Sequence, residues 1–312
     1  MTKFISYAQN FEDVMLYRAL KEVECGFYID VGANDPTVDS VTKAFYDRGW
    51  RGINIEPIQA WHEKIQSERA RDINLCVAAG AEKGQLQLFD FPGTGLATPD
   101  REIAHLHQKE HQEKYESLSV PVLTLSEICT SYHLAPIHFL KIDVEGGELS
   151  VLQGINLEVI RPWVIVVEAT RPNSTEEDFA TWEPILLGAR YHFVYFDGLN
   201  RFYLAEEEMR LEHHFRTPPN FFDGFILYRE EQAQECLERT VEQAHRAELL
   251  IKELEIRVNH EVARVAELDR SRKQINQQHL ESEVRLRDTQ QDLEHHQKEL
   301  AVIYRSLSWR MT

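Results

Sequence analysis

The chain has 312 residues and a mass of 36.5 kDa, and its 34 Lys plus Arg against 52 Asp plus Glu give a formal charge of −18. That acidity argues against a dedicated nucleic-acid binder, which needs a basic footprint to displace counterions from phosphates, and against docking by charge on an anionic membrane surface. With 43% hydrophobic and 10% aromatic residues the chain can build a sizeable core, which excludes global disorder.

The opening, MTKFISYAQNFEDVML, is interrupted by Gln9, Asn10, Glu12 and Asp13, so it offers no signal-peptide run and predicts a helix near residues 9–24. Short apolar runs then predict strands at 26–33, 52–57, 73–79, 138–145, 163–170, 191–198 and 221–228. Their β-branched and aromatic content suits strands covered on both faces. Helices are predicted near 36–48, 59–69, 124–133, 147–153 and 176–188. A hairpin strand at 85–91 and a polar, His-rich helix over 100–115 interrupt the alternation. Strand and helix in turn imply a doubly wound α/β sheet.

After Tyr228 the character changes. Residues 230–303 contain no Gly and no Pro. Leu237, Ala244, Ile251, Val258, Val265, Leu286, Leu293 and Leu300 fall on one seven-residue register, interrupted by Arg272 and His279. Leu254, Leu268, Ile275 and Ile303 lie three residues further on. Two such seams predict a coiled coil, roughly 110 Å long if continuous at about 1.5 Å per residue, with the polar stretch 269–283 as a weak or hinged segment. Residues 229–312 carry 14 basic and 17 acidic side chains, a net of −3, so −15 belongs to residues 1–228. The division reads as 1–228 for an α/β domain, 229–304 for a coiled coil that associates with its own copies, and 305–312 for an aromatic, basic tail.

Four scattered cysteines (Cys25, Cys76, Cys129, Cys236), with no C-x-x-C pair, fit a reducing compartment. No run approaches the ~18–20 apolar residues of a membrane span. The expectation is a cytoplasmic protein.

The residues that carry chemistry sit at strand ends. The first predicted strand exits through Asp30, Gly32 and Asn34, bringing backbone N–H groups to a ligand beyond its carboxyl end. A dinucleotide site would show G-x-G-x-x-G there; Asn34 and Asp35 stand where further glycines are needed, so a ligand without a pyrophosphate fits better. Glu56, ending the second strand, is placed to accept from both hydroxyls of a ribose. In LKIDVEGGE, strand alternation would point Lys141, Asp143 and Glu145 the same way, and Gly146–Gly147 would turn the chain into a helix. Glu168 ends the following strand in the same layer. His105, His107 and His111 lack a rigid third ligand, and no metal site is expected. Trp61, Trp163 and Trp182 read as core.

DVGAN, IEP, GTGLATP and above all LKIDVEGGELSVLQG, in this order, together with YAQNFEDVML and PPNFFDGFILY at the edges, resemble FkbM-type methyltransferases over residues 4–228. The resemblance implies a class I, Rossmann-like methyltransferase fold with a seven-stranded mixed sheet ending in an antiparallel hairpin. It implies S-adenosyl-L-methionine as cofactor and methylation of an oxygen, often on a sugar or polyketide. Carried over residue by residue, Asp30, Gly32 and Asn34 would line the methionine end and Glu56 the ribose. Val77 and Ala78 would lie near the adenine, and Gln9, Glu12 and Asp13 would close over the methionyl group. Asp143 would be the base, with Glu145 next and Lys141 orienting either. Tyr195, Phe196, Asp197 and Asn200, ending a late strand, would lie where the family's substrate pocket is, and one of them would touch substrate. Ala97 stands where the family more often carries Ser.

The terminal IYRSLSWRMT resembles a segment of bacterial surface-polysaccharide enzymes that joins a coiled coil to a glycosyltransferase module. It implies a glycosyltransferase partner or a membrane edge, met through Tyr304, Leu307 and Trp309, and a surface-glycan acceptor. Two other classes remain open on the residues alone: an NAD-type oxidoreductase, and a non-catalytic coiled-coil scaffold that keeps the fold.

Overall fold

A computed structural model describes residues 3–94, 97–111, 114–132, 136–171 and 174–310. Seven strands form the central sheet: β1 (Phe27–Val31), β2 (Arg51–Ile55), β3 (Ile73–Leu75), β4 (Phe139–Ile142), β5 (Val164–Glu168), β6 (Tyr191–Phe196) and β7 (Asn200–Ala205). Their spatial order is β6-β7-β5-β4-β1-β2-β3, with β7 antiparallel to both neighbours and the other pairs parallel. The order reverses between β1 and β4, the switch point outside which ligands of open α/β sheets bind.

Alternation along the strands divides the core. Ile29, Val31, Ile53, Ile55, Leu140, Ile142, Ile165 and Val167 pack on one face, under helices Leu125–Tyr132, Glu148–Gln153 and Glu183–Gly188. Tyr28, Phe139, Val164, Val166, Phe202 and Leu204 pack on the other, under Glu12–Leu20 and Lys43–Asp47. All these strand residues are 0–1% exposed, as double coverage requires.

The seventh strand differs from the sequence reading. It is Asn200–Ala205, returning from β6 through Asp197–Gly198; the run predicted over 221–228 gives only Phe225–Leu227, which pairs in parallel with Phe4–Ser6 in a separate two-stranded sheet. Arg201 inside β7 disguised it. That guanidinium is kept by Glu177 and Glu183 at 3.2 and 3.0 Å and lies over the Phe179 and Phe193 rings. The predicted strand 73–79 also divides: Ile73–Leu75 joins the central sheet, while Ala78–Ala79 joins Glu116–Leu123 and Gly84–Asp90 in a three-stranded side sheet. The helices predicted over 36–48 and 176–188 shorten to Lys43–Asp47 and Glu183–Gly188.

The chain divides into two compact units, 1–233 and 234–312. One unbroken helix, Tyr228–Arg310, extends through the polar stretch expected to hinge and through residues 305–310, expected as a separate tail. Glu→Lys/Arg pairs four residues apart (Glu235–Arg239, Glu242–Arg246, Glu248–Lys252) support its surface. Among the described residues no helix is long and apolar enough to cross a membrane.

Candidate active site

The carboxyl ends of β1, β2, β4 and β5 open into a cavity of about 990 Å³, within the ordinary range for a small-molecule site. Gly32, Ala33 and Asn34 form one wall. Gly32 has φ +78°, and a Cβ there would stand 1.8 Å from the Asp143 carbonyl oxygen, so only glycine lets the β1 exit pack against the β4 exit. Gly32→Ala is therefore expected to destabilise the domain by about 3 kcal/mol or more, read as a lower urea midpoint. Asn34 has φ +47°, and its side-chain oxygen is buried with no hydrogen-bond partner while the residue lines the cavity. Such an acceptor awaits a donor from a ligand or water.

Glu56 is 4% exposed and accepts from Asn34 N at 2.9 Å and Ile58 N at 2.8 Å, one bond to each oxygen. Each oxygen retains a second lone pair toward the cavity. Burial pushes this carboxyl up to about 7 against the pull of the two backbone donors. Beyond it Ile58, Ala78, Leu88 and Val122 make an apolar wall with partly buried Trp61, much of it from the side sheet. Such a wall suits a flat aromatic group.

On the opposite side Lys141, Asp143, Glu145 and Glu168 meet. Lys141 lies 3.1 Å from Asp143, 3.6 Å from Asp30 and 3.3 Å from the Gly32 carbonyl oxygen. Burial opposes its charge, but Asp143 and Asp30 hold the ammonium above its ordinary value. Asp143, Glu145 and Glu168 each bring an oxygen within 4.8 Å of the other two. Burial, then Asp143 and Glu148, push Glu145 up to about 8, and burial with Asp143, Glu145 and Glu148 pushes Glu168 up to about 11. Burial and mutual repulsion thus favour the protonated forms of Glu145 and Glu168 unless a cation joins them, while Asp143 is the carboxyl paired with Lys141. Oxygen-only donors of this kind match hard divalent cations, although the sequence reading expected no metal.

The convergence has a different cause from the one expected. β4 ends at Ile142, so Asp143 and Glu145 are not alternating strand residues; Glu145 sits in a turn at φ +51°. Glu148 shapes that turn by accepting from Val144 N and Gly146 N, both at 3.2 Å, and fully buried Thr98 donates to the Glu145 carbonyl oxygen at 2.9 Å.

Several expected site residues lie elsewhere. Asp30 is 1% exposed and sits beneath the cavity: it alternates with Ile29 and Val31, pairs in register with Lys141 and accepts from Thr42 Oγ1 at 2.8 Å. Asp13 is fully buried and accepts from Ser6 Oγ, Tyr7 N and Ala8 N, so it organises the amino-terminal segment from inside. Glu12 accepts from Asn10 N and Asn200 Nδ2. From that segment Gln9 reaches the cavity. Val77 packs against the core, whereas Ala78 lines the cavity. Asp197 and Asn200 bind Asn10 and Glu12 rather than facing the cavity, and Tyr195 and Phe196 pack on the sheet. Trp61 lines the cavity, while Trp182 is core. His105 is exposed; the side chains of His107 and His111 lie outside the described residues. Glu148, Thr98 and the side-sheet wall escaped the sequence reading. E-G-G-E spacing was a usable signal for Glu148; the wall left none.

The family model for the methyltransferase FkbM domain matches residues 30–195, slightly more than half of the chain and every strand end that opens on the cavity. The chain belongs to the FkbM methyltransferase-domain family. Among solved structures it is similar to the methyltransferase FkbM from Methylobacillus flagellatus KT, with 16% identity and a TM-score of 0.39 over 58% of this chain and 44% of that one. The chain thus spans less than half the length of that FkbM protein. No curated protein matches the sequence.

Proposed function

We propose that the protein is an S-adenosyl-L-methionine-dependent O-methyltransferase acting on a hydroxyl of a sugar in a surface glycan or its precursor. One observation carries the reading: a ribose-type acceptor pair at Glu56 and a Lys141-anchored carboxylate cluster face each other across one cavity. The donor set fits the cofactor: Asn34 offers an unpartnered oxygen, Glu56 offers lone pairs, and the wall at Ile58, Trp61 and Ala78 is apolar. When bound, the cofactor supplies an electrophilic methyl group on a sulfonium. Gly32 and Asn34 hold its amino-acid end, Glu56 its ribose and the apolar wall its adenine.

Displacement at a methyl carbon is in line, so the protein contributes mainly by alignment. Asp143 takes the proton of the acceptor hydroxyl, and Lys141, held by Asp30, keeps that carboxylate oriented. Glu145, beside it, donates or accepts at a neighbouring hydroxyl. Among the described residues lining the cavity Lys141 is the one cation, and it is already paired. A reacting ring without phosphate therefore suits the site better than a phosphorylated one. The sugar assignment itself rests on the resemblance of residues 4–228 and of the terminal segment.

Two measurements test this. Calorimetry should give saturable binding of S-adenosylhomocysteine and none of NADH; the reverse would make the protein an oxidoreductase. Incubation with methyl-labelled cofactor and neutral glycans should place label on a sugar oxygen, and label on nitrogen or carbon would overturn the O-methyl assignment.

A further inference from the structure

The helix Tyr228–Arg310 carries its own evidence about what covers it. Ile251, Leu254, Val258, Val265 and Leu268 are 48–63% exposed, a stripe that a single helix leaves in water. With Leu237 at heptad position a, the flanking charges sort by position: the charged e residues are all acidic (Glu248, Glu255, Asp269, Glu283), while the charged g residues from 257 to 285 are Arg257, Arg264 and Arg285. In a parallel pair each g residue approaches the e residue five positions on in the other chain. Arg264 then meets Asp269, and no g–e pair along the seam joins like charges. A fully overlapping antiparallel pair sets e against e and g against g: Glu255 lies opposite Glu283, and Arg257 opposite Arg285.

The core layers favour the same orientation. Parallel pairing matches each seam residue with its own copy, so apolar layers at 251, 254, 258, 265, 268 and 275 stay apolar. Antiparallel overlap sets Ile251 against Thr289 and Val258 against Ser282. The parallel arrangement bears polar layers at Thr240, Glu261, Arg272, His279, Ser282, Thr289 and His296, most of them in the carboxyl-terminal half, of which Glu261 and Arg272 are the two with permanent charge. Arg264 lies 3.8 Å from Glu261 and Asp269 precedes Arg272 by three residues, so each charge has an opposite charge on its own helix. A charged residue at a seam position, as at Arg272, fixes register at a cost in stability. Ile251, Val258 and Val265 at a, with Leu254 and Leu268 at d, are the β-branched/Leu combination of two-stranded coils.

We infer that this helix forms a parallel, in-register, two-stranded coiled coil with a second copy of the chain, independently of what the active site methylates. The test uses the full-length chain with its two exposed cysteines replaced (Cys25→Ser, Cys236→Ser) and Leu300→Cys added. Under mild oxidation Leu300→Cys should crosslink to its own copy, as should Ile303→Cys, and light scattering should give twice the 36.5 kDa chain mass. Crosslinking of Leu300→Cys only when mixed with Leu237→Cys would overturn the orientation. A mass of one chain would overturn pairing, and a mass of three chains the stoichiometry. S-adenosylhomocysteine binding measured on the same samples reports the active site separately, so either reading can fail alone.

Discussion

Asp143→Asn is expected to lower the rate of methyl transfer by about 10²–10⁴-fold while leaving S-adenosylhomocysteine affinity within roughly threefold. The amide keeps the shape of the carboxylate and can still accept from Lys141, 3.1 Å away, so the turn between β4 and the helix Glu148–Gln153 should persist. What disappears is the anion able to take a hydroxyl proton. Its neighbours replace it only in part near pH 7: losing the Asp143 charge removes one cause of the raised Glu145 and Glu168 carboxyls, but burial, the first cause for both, still favours their protonated forms. The contrast separates Asp143 from a merely structural residue. Single-turnover assays with labelled cofactor read the chemical step, and calorimetry reads binding. A variant that retains more than a tenth of the wild-type rate would remove Asp143 from the role of base. Partial recovery of rate as pH rises and Glu145 ionises, at a pH lowered by loss of the Asp143 charge, would identify Glu145 as the substitute.

The fold was legible where the chain obeys simple periodicity. β1, β2, β4 and β5 are buried on both faces, and such strands must be apolar nearly throughout, so FYIDV, RGINI, FLKI and VIVVE announced themselves. β7 failed that test because its Arg201 is neutralised by Glu177 and Glu183, side chains distant in sequence that only the folded chain brings near. The site divided in the same way. Charged residues at strand ends pointed to the end of the sheet where the cavity lies, yet direction depended on the partner strand: Asp30 faces Lys141 across the β1–β4 register and lies under the cavity. Glu145 reached the predicted neighbourhood by a left-handed turn that strand alternation does not describe. Side-sheet residues such as Leu88 and Val122 showed no signal, since an apolar residue in a strand reads the same whether it faces core or ligand.

Glu56→Gln is expected to weaken S-adenosylhomocysteine binding by about 10–100-fold, the loss of charge-assisted bonds worth roughly 1.5–3 kcal/mol. Each oxygen of the wild-type carboxylate already accepts one backbone bond, from Asn34 N at 2.9 Å and from Ile58 N at 2.8 Å, and keeps a second lone pair for the ligand. An amide can satisfy only one of these donors with its oxygen, and its NH₂ group then faces the other backbone N–H. The β1 and β2 exits would separate at the place where a ribose has to seat. A second readout follows from titration. Burial raises this carboxyl in the folded protein to about 7, from the ordinary 4.5. Ligand hydroxyls donate more strongly to the anion than to the acid, so binding favours the deprotonated form. Wild-type affinity should therefore rise between about pH 6 and pH 8 and level off above, whereas in Glu56→Gln the contribution from this position should vanish and the profile flatten. Asp30→Asn is the contrasting control, because Asp30 touches Lys141 and Thr42 rather than the cavity and should leave the slope of that profile in place. A steep pH dependence that survives in Glu56→Gln would assign the titrating group elsewhere and remove Glu56 from the ribose site.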